Sequence, residues 1–153
     1  MSMIKITAIL ALSVLLGFIS NSINPNGISL FEQEQKEFKF DAPPAQPVSV
    51  SRSDLKQMIQ KDACLILDAR LPDAYNDAHI PGAVNIPFER LGMVYDKIQT
   101  LPKEKWLITY CDSPECDLGE LLADELYNLG YEYVGYYKSG IEEWKQTEQV
   151  AHE

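Results

Sequence analysis

Basic residues are in short supply in this 153-residue chain: 13 Lys and Arg stand against 23 Asp and Glu, a net charge of −10. Nucleic-acid binding needs clustered Lys and Arg to neutralise phosphates, so this balance argues against it. It equally disfavours an anionic membrane surface as a partner for the folded part. Solubility is the simplest consequence of such a charge. Histidine is scarcer still, represented by His79 and His152, and cysteine is limited to Cys64, Cys111 and Cys116. An odd number of thiols rules out a fully paired disulfide framework within one chain. The four residues between Cys111 and Cys116 make a spacing met in some zinc sites. No second ligand pair accompanies them, so neither a metal nor another cofactor is expected. Internal repeats and long low-complexity tracts are missing too.

The length suits one domain with a real hydrophobic core. It is preceded by "MSMIKITAILALSVLLGFIS", in which Lys5 leads an apolar run from Ile6 to about Ile19. A charged start and such a run have the form of a secretory signal. Extended through Ser20, Asn21 and Ser22 to Ile23, the run has 18 residues. That is roughly 27 Å of helix, close to the ~30 Å hydrocarbon core of a bilayer. No small-x-small cleavage site stands out beyond Ser20-Asn21-Ser22, and no cysteine follows to carry a lipid. Residues 1–23 are therefore expected to be a signal peptide or, preferably, an uncleaved transmembrane anchor, a single hydrophobic helix. With Lys5 before it and Glu32, Glu34, Glu37 and Asp41 after it, the positive-inside rule points the rest of the chain outward. The expected location is membrane-anchored with the domain in the periplasm or cell exterior; secretion after cleavage is the alternative.

Residues 24–47 read as a linker: "NPNG" is a turn signal and "DAPPAQP" is stiff and Pro-rich. The folded domain is expected over 48–146, with a tail at 147–153. Ser51 or Ser53 is placed to cap a helix in "SRSDLKQMIQ". "CLILDAR" is a continuous apolar run, as in a strand covered on both faces. "LPDAYNDA" opens a short helix with Pro72, and "HIPGAVNIP" gives a turn and a short strand. "FERLGMVYDKIQTL" has helical spacing at Leu91, Val94, Tyr95 and Ile98, and "WLITYC" is a second buried strand. "DLGELLADELYNLG" is the clearest helix, with Leu118, Leu121, Leu122, Leu126 and Leu129 on its apolar positions and Gly130 as its stop. "YEYVGYYK" is another strand, and "SGIEEWK" starts a last helix. This alternation predicts an α/β domain with a mainly parallel sheet.

Ligands of such sheets bind at the carboxyl ends of the strands, where Cys111 lies in "LITYCDSPECDLGELLADEL". A free thiol is only a few per cent thiolate at neutral pH. A helix start with unpaired N–H groups, or a nest of backbone amides, would stabilise a thiolate and equally an anionic persulfide.

"CLILDARLPDAYNDAHIPGAVNIP" resembles the first half of a rhodanese-like domain, and "WLITYC", "ELLADELYNLGY" and "SGIEEW" resemble its second half. The resemblance covers roughly residues 48 to 146. It implies a five-stranded, mainly parallel sheet flanked by helices, with Cys111 as the sulfur-accepting nucleophile. The loop Asp112, Ser113, Pro114, Glu115, Cys116 and Asp117 would cradle the sulfur and its donor. Asp68, Arg70 and His79 match the first motif and, by resemblance, hold the fold together away from the sulfur.

The loop departs from the family pattern because it contains acids and no base. Active sulfurtransferases often carry Arg or Lys there to attract thiosulfate, and related phosphatases place an Arg there, so a phosphatase is disfavoured. Asp117 and Glu120 are spaced as a capping-box-like pair. Asp112 and Glu115 have no such reason, and nearby carboxylates would repel a dianion. A neutral, cationic or protein-borne substrate fits better. Lys138, after the last strand, reads as an exposed lysine or as an offset to this charge. Cys116 has three readings: a small packing residue, a disulfide partner and resolving thiol for Cys111, or a pocket wall. Cys64 reads as inert.

Three functions are compatible with these residues. The first is a membrane-tethered sulfur carrier or sulfurtransferase, of thiosulfate:acceptor type if an enzyme, forming a persulfide on Cys111; its partners are a small sulfur donor or a protein thiol acceptor. The second is a thiol–disulfide redox protein using Cys111 and Cys116. The third is a non-catalytic binding module that keeps the fold.

Overall fold

The computed structural model describes residues 42–148, 150 and 151, together with Thr7, Leu12, Ser13 and Leu15, which are helical. The rest of the expected anchor, most of the linker and the last two residues lie outside the described residues. Among the described residues, no helix is long and apolar enough to cross a membrane.

The elements alternate as the sequence predicts. They run β1 (Val48–Ser49), α1 (Arg52–Gln60), β2 (Cys64–Asp68), α2 (Pro72–Asp77) and β3 (Val84–Asn85). A 3₁₀ segment (Phe88–Met93), α3 (Tyr95–Gln99), β4 (Trp106–Tyr110), α4 (Leu118–Asn128), β5 (Val134–Tyr137) and α5 (Gly140–Thr147) come next. The five strands are ordered β1-β5-β4-β2-β3, and every pairing is parallel. β4 is thus the central strand, and its last residue, Tyr110, lies in register with Asp68 of β2 and Tyr137 of β5.

The apolar runs of β2 and β4 are continuous because both sheet faces are covered. Ile66, Ile108 and Tyr110 pack with Leu55, Met58, Ile141 and Trp144 on one face. Leu67 and Leu107 pack with Ile98, Leu122, Leu126 and Val134 on the other. Side chains alternate between faces along a strand, so a strand in the middle layer must be apolar at every position.

Local signals explain most helix boundaries. Ser51 caps α1 by accepting the Asp54 N–H at 3.2 Å, and Pro72 occupies the first turn of α2. Gly130, at φ +89°, ends α4. Its N–H donates to the Tyr127 carbonyl at 3.0 Å, and that of Tyr131 donates to Leu126 at 3.1 Å, the bonding of a Schellman motif.

One expectation needs correcting. "FERLGMVYDKIQTL" is not a continuous helix but a kinked 3₁₀ segment, non-helical at Arg90, followed by the short α3. Pro87 fixes the approach, Gly92 weakens the helical alternative, and Ile98 alone of the four spaced residues is fully buried, while Tyr95 is exposed. Beyond α5, Ala151 pairs with His79 through two backbone hydrogen bonds of 2.8 and 2.9 Å, and Val150 packs against the core. The segment expected as a tail therefore begins inside a helix and returns to the sheet domain.

Candidate functional site

Cys111 directly follows central strand β4, and the loop 112–117 carries the chain to α4. Close packing fixes both ends of this crossover. A Cβ at Gly119 would lie 3.0 Å from the Tyr110 carbonyl carbon, so glycine lets α4 start against the end of β4. The buried Thr109 hydroxyl donates to the Gly119 carbonyl at 2.6 Å and ties the same two elements. Behind the loop, the first N–H groups of α5 act as donors: Ile141 to the Cys111 carbonyl at 3.0 Å and Glu142 to the Asp112 carbonyl at 2.9 Å. Gly140 makes this approach possible. Its φ is +67°, and a Cβ there would sit 2.5 Å from the Asp112 carbonyl oxygen.

Cys111 and Cys116 are joined in a disulfide, with their Cα atoms 6.1 Å apart. Of the three readings of Cys116, the structure selects the disulfide partner. Cys111 is buried and Cys116 half-buried. A turn closed by the Cys116 N–H donating to the Ser113 carbonyl at 3.0 Å brings the second cysteine back toward the first.

The acids have partners that the sequence order hides. Arg70 is 4% exposed. Its guanidinium makes a bidentate pair with Asp68 at 2.6 and 2.9 Å, donates to the Ala78 carbonyl at 2.6 Å, and reaches Asp112 at 3.0 Å. The Tyr110 hydroxyl donates to Asp68 at 2.5 Å and accepts the Ile80 N–H at 3.1 Å. Burial opposes the charge on Arg70, but Asp68 and Asp112 outweigh it and push its pKa up. Burial, reinforced by Asp68, pushes the Tyr110 phenol up as well. Asp68 and Arg70 therefore form the buried frame expected of them. Arg70, though, is not remote from the loop: it grips its first residue.

Lys138 follows β5 and grips the other end. Its ammonium lies 2.6 Å from Asp117 and 3.2 Å from Glu120. The hydrogen bond to Asp117 is the main cause raising its pKa. Of the two readings of Lys138, this selects the offset to the loop's charge. It also corrects one expectation: Asp117 and Glu120 form no capping box, since Asp117 has helical backbone angles and makes no side-chain cap bond. Both carboxylates turn to the cation instead. Glu115 is held below the usual carboxylate range chiefly by the Ser113 hydroxyl, then by its own backbone N–H, with a smaller contribution from Lys138.

The expected site residues Cys111 to Asp117 thus form one loop. Sequence reasoning offered Lys138 as an offset to its charge but missed Arg70 and Tyr110 as its supports. The signal for all three lay in strand-end positions: each sits at or just after the carboxyl end of β2, β4 or β5. His79 lies apart, its ring stacked on Tyr75 at 4.0 Å. Cys64 is buried at the opposite end of the sheet, where burial pushes its thiol up to about 11.

Comparison with known proteins agrees with this architecture. A Bacillus halodurans protein of known structure is 32% identical with a TM-score of 0.63, covering 69% of this chain and 77% of its own. A human single-domain sulfurtransferase, 19% identical with a TM-score of 0.55 over 66% of this chain and 97% of its own, shares the fold. An uncharacterized Synechocystis protein is 29% identical over 102 residues, 65% of this chain. The chain spans about half of that relative's length, 53%. The family model described as Rhodanese-like domain matches residues 51–147, and the chain belongs to that family.

Proposed function

We propose that the domain is a sulfur carrier of the sulfurtransferase type, in which Cys111 accepts a sulfane sulfur as a persulfide. The observation that carries this reading is the position of Cys111. It stands at the carboxyl end of the central parallel strand, beside the starts of α4 and α5, the end at which parallel sheets bind their ligands. With thiosulfate as donor, the Cys111 thiolate attacks the sulfane sulfur, the S–S bond of thiosulfate breaks, and sulfite leaves with its electron pair. The fold shared with a human sulfurtransferase supports the same chemistry.

The loop's charge bears on the donor. Asp112, Glu115, Asp117 and Glu120 outnumber Arg70 and Lys138, and Arg70 is already matched by Asp68. A dianion is therefore a poorer substrate than a neutral or protein-borne persulfide. The disulfide supports an oxidising, extracytoplasmic location, in keeping with an N-terminal membrane anchor or signal. Retention in membranes after an alkaline wash would mark the anchor, and recovery in the soluble extracytoplasmic fraction would mark cleavage.

The test is mass spectrometry of the reduced chain after exposure to thiosulfate and, separately, to a persulfide donor. Cys116→Ser should gain one sulfur atom on Cys111, and Cys111→Ser should gain none. Loading that survives Cys111→Ser would overturn the reading. The disulfide favours a second reading, a thiol–disulfide protein, which requires a measurable reduction potential for the pair and no stable sulfur on either thiol.

A further inference from the structure

Two observations bear on the fate of a sulfur loaded on Cys111. First, Cys116 Sγ reaches Cys111 Sγ, since the two are bonded. Second, the loop that brings them together is held from outside at both ends. Arg70 holds Asp112, Lys138 holds Asp117, and α5 donates to the carbonyls of Cys111 and Asp112. None of these contacts passes through the disulfide. Cutting it leaves in place the frame that presents one sulfur to the other.

We propose that Cys116 is a resolving nucleophile that discharges a Cys111 persulfide as hydrosulfide; this rests on Cys111 being the sulfur carrier. Cys116 Sγ attacks Cys111 Sγ, and the bond from Cys111 Sγ to the outer sulfur breaks. The outer sulfur leaves with the electron pair, takes the proton given up by the Cys116 thiol, and departs as HS⁻. The outer sulfur is reduced, and the two cysteine sulfurs are oxidised to the disulfide seen here. An external dithiol must then supply two electrons and two protons, becoming a disulfide itself.

The acidic surroundings acquire a purpose in this scheme. Arg70, already matched by Asp68, and Lys138 do not balance Asp112, Glu115, Asp117 and Glu120, and this net negative charge opposes retention of hydrosulfide and of a long-lived anionic persulfide alike. A loop built only to store a persulfide would carry the opposite charge.

The experiment uses the reduced full-length chain and its Cys116→Ser variant, without oxygen, each given cysteine persulfide. Hydrosulfide is measured against time, and the sulfur state of each cysteine by peptide mass. The wild-type chain should release one hydrosulfide per sulfur loaded and close the Cys111–Cys116 disulfide. The variant should keep sulfur on Cys111 and release hydrosulfide roughly tenfold or more slowly, because it lacks the intramolecular attack. Equal release by the variant, or a wild-type persulfide persisting beside a free Cys116 thiol, overturns the proposal while leaving the carrier intact. If Cys111 takes up no sulfur in either protein, the carrier reading falls and the proposal falls with it.

Discussion

The two ends of the parallel sheet each carry a buried cysteine, and the two are chemically opposite. Cys64 opens β2 at the amino end, is 9% exposed, and is a free thiol. Burial pushes its pKa to about 11; Lys105 works against this, but Lys105 is itself paired with Asp62 at 2.6 Å. Cys111 follows β4 at the carboxyl end, is 3% exposed, and is bonded to Cys116. Residue type and burial are nearly the same. The neighbours differ: core side chains surround one, whereas a returning loop, two helix starts and two clamped carboxylates surround the other. Position along the strand therefore decides whether a buried cysteine stays a free thiol in the core or is held in a disulfide by a loop.

Removing the carboxyl end's frame should have the largest effect. Asp68→Ala leaves Arg70 buried without its main partner and should cost about 3–5 kcal/mol of stability, measured by urea denaturation. A loss below about 1 kcal/mol, the range of an exposed pair, would mean that the pair is not the frame.

The amino end can be probed by pH. The Cys64 thiol is raised in the folded state from 9.0 to about 11. The stability it contributes is therefore complete below pH 9 and is lost as pH rises through 11, because the unfolded chain gives up its proton first. That amounts to about 2–3 kcal/mol. Cys64→Ala should flatten the stability profile over this window. The native thiol should also resist alkylation at about pH 8, well below its raised pKa, while the reduced loop thiols react.

Gly140→Ala sharpens the comparison by acting only behind the loop. It places a Cβ against the Asp112 carbonyl at a positive φ, which should cost about 1–3 kcal/mol. It should also slow reclosure of the disulfide after reduction, without altering the reactivity of Cys64.

The smallest effect belongs to Lys138→Met. It should leave the fold intact and reduce sulfur uptake from thiosulfate more than uptake from a neutral persulfide. Added salt should narrow that gap, since exposed charges are screened beyond ~8 Å at physiological ionic strength. Equal changes for both donors would show that Lys138 orders the loop without setting its charge.

Much of this architecture was legible in the chain. Two continuous apolar runs identify β2 and β4 as covered strands, the spacing of α4 and Gly130 fixes its span, and Cys111 follows from its place after β4. The two-residue β1 was not readable, because Val48 and Ser49 carry no periodicity and gain their strand character only by pairing with β5. The broken helix at 88–99 misled because four apolar residues at helical spacing do not reveal which of them is buried. Within the loop, Asp112 looked unexplained because its cation lies far off in sequence: Arg70 is 42 residues away, and the cation that Asp117 meets, Lys138, is 21 away. Ion pairs made by strand ends meeting in space leave no local pattern. Asp117 and Glu120 did show such a pattern, and there the long-range cation prevailed over the local cap.

The attachment of α5 to the back of the loop gives the protein a built-in optical gauge. Trp144 is buried on this helix, whose first N–H groups hold the loop, while Trp106 sits at the far end of β4. Any shift of the Cys111 and Asp112 carbonyls must be taken up by the helix that carries Trp144, and Trp106 is too distant along the strand to feel it directly. In Trp106→Phe, the remaining indole's emission should stay unchanged as the disulfide is opened and closed if the loop is held from outside, and a shift would show that α5 moves with it, so that the frame itself could be watched in real time without an added label.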